Sequence, residues 1–265
     1  MFGRITPMVK NLLIINVGVH LLSWLLKIDV SDMFSFYGFH SPKFEPYQLF
    51  TYMFLHANFS HLLFNMIGLI VFGPMLENFW GASRFLQYYL ITGIGAGILY
   101  AAVNWMEFNG TSRDAEQYIE QPTPEGFYSF LRDHFPEFRA STGLVSLAEN
   151  FDNKPDSEQL KQITVSQVRD LTALIRDGGM LGASGAIFGL LMAAGLLFPN
   201  TQVMLLIPPI PIKIKYMALI LGSLAIFGAL HKTPGDNVAH FAHLGGMVVG
   251  IIIIKIWNRD RTKFY

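Results

Sequence analysis

Ser184 lies between glycines, where a long polar stretch gives way to an apolar run that reaches Phe198. A hydroxyl at the start of such a run needs a polar partner, because lipid-like surroundings cannot satisfy it. The best candidate partner is His243, which lies at the start of the last apolar segment. An imidazole about 3 Å from a serine hydroxyl can remove its proton near neutral pH and make the oxygen nucleophilic. The pair therefore predicts serine-based acyl-transfer chemistry at membrane depth.

Both segments carry small residues four positions apart. Glycine at that spacing lets two helix backbones approach closely, which would bring the Ser184 hydroxyl within hydrogen-bond distance of an imidazole. His240 and His243 compete for that role, and we prefer His243 because it is in register with the glycines. The glycines that we expect to pack the helices and shape the site are Gly182, Gly185, Gly189, Gly246 and Gly250.

A second polar pair lies near the start of the second apolar segment. His61 and Asn65 are four residues apart, so they share one face of a helix. The tetrahedral intermediate of acyl transfer needs hydrogen-bond donors for its oxyanion. The candidates are the backbone N–H of Ser184, the Asn65 amide and the His61 ring, whereas His56 is expected at the membrane interface.

The remaining composition narrows the chemistry. No Asp or Glu falls inside a predicted span, so a catalytic unit would consist of serine and histidine alone. The chain has no cysteine, which excludes disulfides and thiol chemistry. The acidic residues show no metal-like clustering with histidine, so we predict neither a metal nor a cofactor.

The fold class follows from hydropathy. With 52% hydrophobic and 14% charged residues in 265, the chain is too apolar for an ordinary soluble domain. Most of its apolar runs approach the ~20 residues that a spanning helix needs. We predict an all-α polytopic membrane protein with six transmembrane helices near residues 11–26, 62–76, 85–103, 185–198, 216–230 and 241–257.

The fourth predicted span is short. At ~15 residues it rises only ~22 Å, less than the ~30 Å hydrocarbon core. We therefore expect it to begin below the outer surface, with Ser184 in a cavity at a helix N-terminus. The free N–H groups there would favour a developing anion.

Charge placement predicts the orientation. The side that holds both termini has nine basic and two acidic residues, a net charge of +7. Basic residues favour the cytoplasmic side, so both termini are expected in the cytoplasm, in a bacterial cytoplasmic membrane. The basic residues are Arg4, Lys10, Arg84, Lys213, Lys215, Lys255, Arg259, Arg261 and Lys263, and the acidic ones are Glu77 and Asp260.

Composition also divides the chain. Residues 1–106 are predicted to hold helices 1–3 of the core, and residues 181–265 to hold helices 4–6. The intervening residues 107–180 are expected to form an extracytoplasmic cap of two or three short helices. Residues 107–178 contain seven basic and thirteen acidic residues, and the segment is too long for a plain connection. The loop at 27–56 is rich in aromatic residues, which is typical of the headgroup zone.

Taken in order, the motifs resemble the rhomboid family of intramembrane serine proteases. They are His61-x-x-x-Asn65, Gly182-x-Ser184-Gly185 and Ala242-His243-x-x-Gly246-x-x-x-Gly250 on spans two, four and six, supported by Phe54-Leu55-His56, Gly73 to Glu77, Gly81 and Arg84.

The resemblance implies a Ser184 nucleophile, a His243 general base and oxyanion stabilisation by His61 and Asn65. It also implies cleavage of transmembrane protein substrates near the outer membrane face, without metal or cofactor. The partners would be those substrates and the lipid bilayer, and not nucleic acid.

Two features depart from the family pattern. Tyr47-Gln48 stands where many members carry a Trp-Arg pair, and the long insertion before Ser184 could restrict or guide substrates. We hypothesise that span five and the loop from His231 to Asn237 open as a lateral gate and lid. The alternatives are a catalytically silent relative that binds or escorts membrane clients, and a small transporter. The transporter is disfavoured because intramembrane carboxylates and a visible inverted repeat are lacking.

Overall fold

The computed structural model describes residues 4–205, 209–231 and 239–261. This part of the chain is a helical bundle with one small two-stranded ribbon. The helices are α1 (Pro7–Leu26), α2 (Ser31–Phe34), α3 (Gln48–Thr51), α4 (Phe59–Trp80), α5 (Ala82–Glu120), α6 (Pro124–His134), α7 (Thr142–Asn153), α8 (Glu158–Arg176), α9 (Ser184–Leu197), α10 (Ile214–Leu230) and α11 (His240–Arg261), with 3-10 turns at Tyr52–Phe54 and Pro136–Ala140.

Six of these helices are apolar and correspond to the six predicted spans. Helices α1, α4, α5 and α11 are long and apolar enough to cross a membrane, and α9 and α10 are shorter apolar helices. Many of their large side chains point outward, as a lipid-facing surface requires. The prediction of a polytopic helical membrane bundle is therefore confirmed.

Helix α9 is the centre of the bundle. It packs against α4, α5, α10 and α11, and its Leu190, Ala193 and Ala194 are fully buried. Small residues make this possible, because they leave room for neighbouring backbones. The helix that begins at Ser184 is thus held from four sides.

Helix α4 is longer than the sequence indicated. We predicted a span that ends near residue 76, but the helix passes through Pro74 and continues to Trp80. Glu77 is buried and accepts hydrogen bonds from the hydroxyl of Thr6 and from the backbone N–H groups of Met8 and Val9, the latter two at 3.0 Å. Its carboxylate therefore satisfies the free N–H groups at the start of α1, which helps keep the end of α4 helical.

Helix α5 also extends beyond its predicted end near residue 103. It runs for 39 residues into the insertion, where Ala115 and Tyr118 join a second hydrophobic core formed with α6, α7 and α8. The Tyr118 hydroxyl donates to Thr164 Oγ1 of α8 at 2.6 Å. This packing beyond the bilayer span explains why the helix does not stop with its apolar stretch, and the division of the chain at residue 107 stays a prediction.

The predicted short helices of the insertion are confirmed. The apolar spacing around Phe127–Leu131 falls in α6, and that of Val165–Ile175 falls in α8. Side chains cap both helices, since Thr123 accepts from the N–H of Gly126 and Ser157 accepts from that of Leu160.

The loop between α9 and α10 contains a β-ribbon, which its high proline content did not suggest. Strands β1 (Gln202–Met204) and β2 (Pro211–Lys213) pair antiparallel, with Val203 opposite Ile212. This β-ribbon was not predicted from the sequence. Pro211 begins a strand, a position where its missing N–H is tolerated.

Gln48 anchors the aromatic loop 27–56. Its side chain is 1% exposed, and its Nε2 donates to the carbonyls of Met33 and Lys43 at 3.1 and 3.0 Å. Its Oε1 accepts from the N–H of Glu45 at 3.1 Å, while the hydroxyl of Tyr47 donates to the Met33 carbonyl at 3.1 Å. The pair that departs from the family pattern thus ties the loop together.

Candidate active site

The Ser184 hydroxyl and the His243 imidazole meet at the N-terminal ends of α9 and α11. The distance between His243 Nε2 and Ser184 Oγ is 2.9 Å, which is ordinary hydrogen-bond geometry. With its proton on Nδ1, the imidazole accepts the serine proton at Nε2, as a general base must.

Close contact between glycines of α9 and α11 sets the distance between His243 Nε2 and Ser184 Oγ. A Cβ added at Gly246 would lie 2.8 Å from the carbonyl carbon of Gly185 and would overlap its oxygen. Further along, Gly250 lies over Gly189, whose carbonyl accepts a hydrogen bond from the Tyr88 hydroxyl at 3.0 Å. The backbones of α9 and α11 therefore touch, and His243 lies less than one turn before that contact.

Phe188 orients the imidazole, and this residue was not singled out in the sequence. Its ring stacks on that of His243 with a centroid distance of 4.2 Å and an interplanar angle of 3°. Phe188 follows Ser184 by four residues and so lies on the same helix face. That spacing was the available signal, but it is concealed within a uniformly apolar run.

The His61 ring also lies at this site, close to Gly182. A Cβ added at Gly182 would lie 2.7 Å from His61 Nε2 and 3.8 Å from Ser184 Oγ, so both side chains border one small space. Gly182 has a φ of +127°, a backbone conformation that favours glycine. The His61 ring and the Ser184 hydroxyl therefore both lie close to the Gly182 backbone.

Asn65 and His56 occupy the neighbouring part of α4 and the turn before it. Asn65 is buried, and one N–H of its amide donates to the His61 carbonyl at 3.0 Å, which leaves the second hydrogen of Nδ2 for another acceptor. His56 was expected at the interface but is buried, with its ring 5.1 Å from that of His61 in an edge-on arrangement. Burial within the protein does not test the expected depth of His56 in the membrane, which stays a prediction.

Other polar groups were weighed for chemistry. Within the described ranges, no group of three or more His, Asp or Glu side chains is arranged to hold a metal ion. In α1, the side-chain amide of Asn16 donates to the backbone carbonyl of Leu12 at 2.7 Å, a local contact within the helix. The predicted lid runs from His231 to Asn237, and its residues 232–237 lie outside the described residues.

Comparison with known proteins identifies the family. The Rhomboid domain model matches residues 43–112 and 163–259, which is more than half of the chain. The chain therefore belongs to the rhomboid family. The unmatched residues 113–162 lie within the helical insertion.

Three relatives illustrate the similarity. RHOMBOID-like protein 6, mitochondrial, from Arabidopsis thaliana is 46% identical over 57 residues, which are 22% of this chain and 19% of that protein. Rhomboid protease AarA from Providencia stuartii is 36% identical over 69 residues, 25% of each chain. RHOMBOID-like protein 12, mitochondrial, from Arabidopsis thaliana is 25% identical over 262 residues, 97% of this chain and 60% of that protein. In each case the match spans less than two thirds of the relative.

Proposed function

We propose that this protein is an intramembrane serine endopeptidase that cleaves transmembrane proteins near the outer membrane face. The observation that carries the proposal is the 2.9 Å approach of His243 Nε2 to Ser184 Oγ within a rhomboid-family bundle. A hydroxyl and an imidazole at that distance, next to an open helix N-terminus, are sufficient for acyl transfer.

The reaction begins when His243 removes the proton of Ser184 and Oγ attacks the scissile carbonyl carbon. The resulting oxyanion accepts hydrogen bonds from the Ser184 N–H, the His61 ring and the free amide hydrogen of Asn65. The protonated His243 then donates to the leaving amine, and the C–N bond breaks. A water molecule, deprotonated by the same imidazole, hydrolyses the acyl-enzyme and releases the serine.

The site requires a membrane substrate to enter from the side. Helix α10 is the proposed gate, since Leu219, Phe227 and Leu230 are more than half exposed and face away from the bundle. A crosslink between α10 and α4 should abolish cleavage of transmembrane substrates. Unchanged turnover in the crosslinked protein would reject the gate.

The direct test is labelling of the purified full chain with a fluorophosphonate probe, which reacts with activated serines. The native protein should label, and Ser184→Ala and His243→Ala should not. Labelling that survives Ser184→Ala would favour a binding or escort role instead. Loss of labelling in His240→Ala with retention in His243→Ala would transfer the role of base to His240.

We also propose that both termini are cytoplasmic and that the insertion is extracytoplasmic. The absence of native cysteine makes single-cysteine labelling clean. In sealed cells, a membrane-impermeant maleimide should label Glu125→Cys, an exposed position in α6, and not Lys10→Cys in α1. The opposite pattern would reverse the proposed orientation.

A further inference from the structure

The segment that leads from the insertion to the serine is fixed to the aromatic loop 27–56 at three points. We call residues 177–183, between α8 and α9, the approach segment. At its start, Asp177 Oδ1 accepts a hydrogen bond from Ser41 Oγ at 2.8 Å. In its middle, Met180 exchanges two backbone hydrogen bonds with Phe36, at 2.8 and 2.9 Å.

The third attachment lies next to the serine. The N–H of Gly182 donates to the Tyr52 carbonyl at 2.9 Å, and the Tyr52 hydroxyl donates to the Gly93 carbonyl of α5 at 2.6 Å. Between the attachments, Gly179 packs so closely on Tyr37 that an added Cβ would lie 3.0 Å from its ring. The approach segment is therefore guided along its length by one loop.

Asp177 is the only side chain among these attachments that carries a charge. Arg176 donates to both of its carboxylate oxygens, from Nε at 2.9 Å and from Nη2 at 2.8 Å. The Arg176 hydrogen bonds, helped by the Ser41 hydroxyl, hold the pKa of the Asp177 carboxyl below its usual range. Hydrogen bonds to an ionised carboxylate are stronger than neutral ones, so this attachment can resist movement of α8.

Ser41, the partner of Asp177 in the aromatic loop, is also held in place. Ser41 is buried, and its Oγ also accepts from the N–H of Lys43 at 3.2 Å. The neighbouring His40 stacks on Phe108 of α5 with a centroid distance of 4.5 Å. The aromatic loop 27–56 is therefore held against α5 and hydrogen-bonded to the approach segment.

We propose that Asp177 is a positioning residue whose hydrogen bond with Ser41 fixes the approach segment and so sets Ser184 against His243. This inference rests on the proposed function, because its effect is on the reactivity of the serine. It gives the insertion a role in catalysis, since this bond fixes the point at which the chain leaves α8 for the nucleophile. Loss of the bond frees the start of the segment, whereas the attachments at Met180 and Gly182 remain.

The test compares Ser41→Ala, Asp177→Ala and the double variant in the full-length protein. The readout is the rate of fluorophosphonate labelling as a function of probe concentration. Each single variant should lower the maximal rate by about tenfold, the order expected for a modest misplacement of a catalytic group. The double variant should be no slower than the slower single variant, because both substitutions remove the same bond.

The half-saturating probe concentration should stay unchanged, since the bond acts on positioning and not on probe binding. Tyr118→Phe is the matched control, because it removes the buried hydrogen bond to Thr164 and weakens the insertion without touching the approach segment. It should lower the melting temperature and leave the labelling rate near the native value. Ser41→Ala is the milder variant, since it preserves the Arg176–Asp177 pair.

Two results would overturn this inference and leave the proposed function intact. One is a native labelling rate in both single variants, and the other is an equal loss of rate in Tyr118→Phe, which would assign the effect to general stability. Absence of labelling in the native protein, or labelling that survives Ser184→Ala, would overturn the proposed function and this inference together.

Discussion

Substitution of Gly246 by alanine tests whether helix contact sets the catalytic geometry. The added methyl group would lie 2.8 Å from the carbonyl carbon of Gly185 and overlap its oxygen. Because both atoms belong to backbone, a side-chain rotation cannot relieve the overlap. The axes of α9 and α11 must therefore separate, by about 1 Å or more if carbon contacts are to return to their ~3.5 Å optimum.

The consequence for chemistry follows from the position of His243, three residues before Gly246 on the same helix. A separation of that size lengthens the 2.9 Å distance between His243 Nε2 and Ser184 Oγ beyond hydrogen-bond range. A misplacement of 1 Å costs catalysis about 100-fold. Overpacking should also lower the free energy of unfolding by about 1–3 kcal/mol.

The assay is the fluorophosphonate labelling rate, measured with the melting temperature of each variant. Gly110→Ala is the matched control, because Gly110 is also helical and an added Cβ there meets nothing within 4 Å. It should retain the native rate and gain stability from the better helix propensity of alanine. A native labelling rate in Gly246→Ala would refute the reasoning that backbone contact sets the site.

Three further predictions follow from the site and its support. Gly182→Ala should lower the labelling rate about 100-fold, because the methyl group strains a positive φ and displaces the His61 ring. Phe188→Leu should lower the rate about 3- to 10-fold, since an aromatic pair contributes about 0.5–1.5 kcal/mol to ring placement. The melting-temperature difference between the native protein and Asp177→Ala should be constant above about pH 5 and shrink below about pH 4.

The sign of the pH effect follows from the lowered pKa of Asp177. A carboxyl whose pKa is lower in the folded state stabilises the fold above its unfolded pKa, and that contribution disappears as pH falls through the folded pKa. A difference that grows on acidification would contradict this assignment. Full labelling activity in Gly182→Ala, or an unchanged rate in Phe188→Leu, would show that these residues do not shape the site.

Much of the bundle could be predicted because lipid solvation leaves a strong signal in the sequence. The four-residue spacing of Gly185 and Gly189, and that of Gly246 and Gly250, indicated the helix contact. The polar groups of Ser184 and His243 stood out against apolar surroundings. The ends of α4 and α5 could not be predicted, because they depend on tertiary contacts. Near the end of α4, Glu77 accepts hydrogen bonds from backbone N–H groups at the start of α1. The end of α5 packs into the second hydrophobic core, which includes Tyr118.

The contacts that orient the site were hidden for a similar reason. In the sequence, Phe188 cannot be told apart from its apolar neighbours, because its stacking on His243 is visible only in the structure. The bonds of Asp177 and Gly182 to the aromatic loop join residues more than a hundred positions apart, and a single sequence carries no signal for such pairs. The anchoring role of Gln48 depends likewise on which backbone groups surround it.

The most direct test of the central claim is to map the site of probe attachment by mass spectrometry of the labelled full-length protein. A fluorophosphonate adduct on the peptide that contains Ser184, formed in the native protein and lost in His243→Ala, is the predicted result. An adduct on any other residue, or one on Ser184 that forms as fast without His243, would contradict the proposal of a serine activated by that histidine.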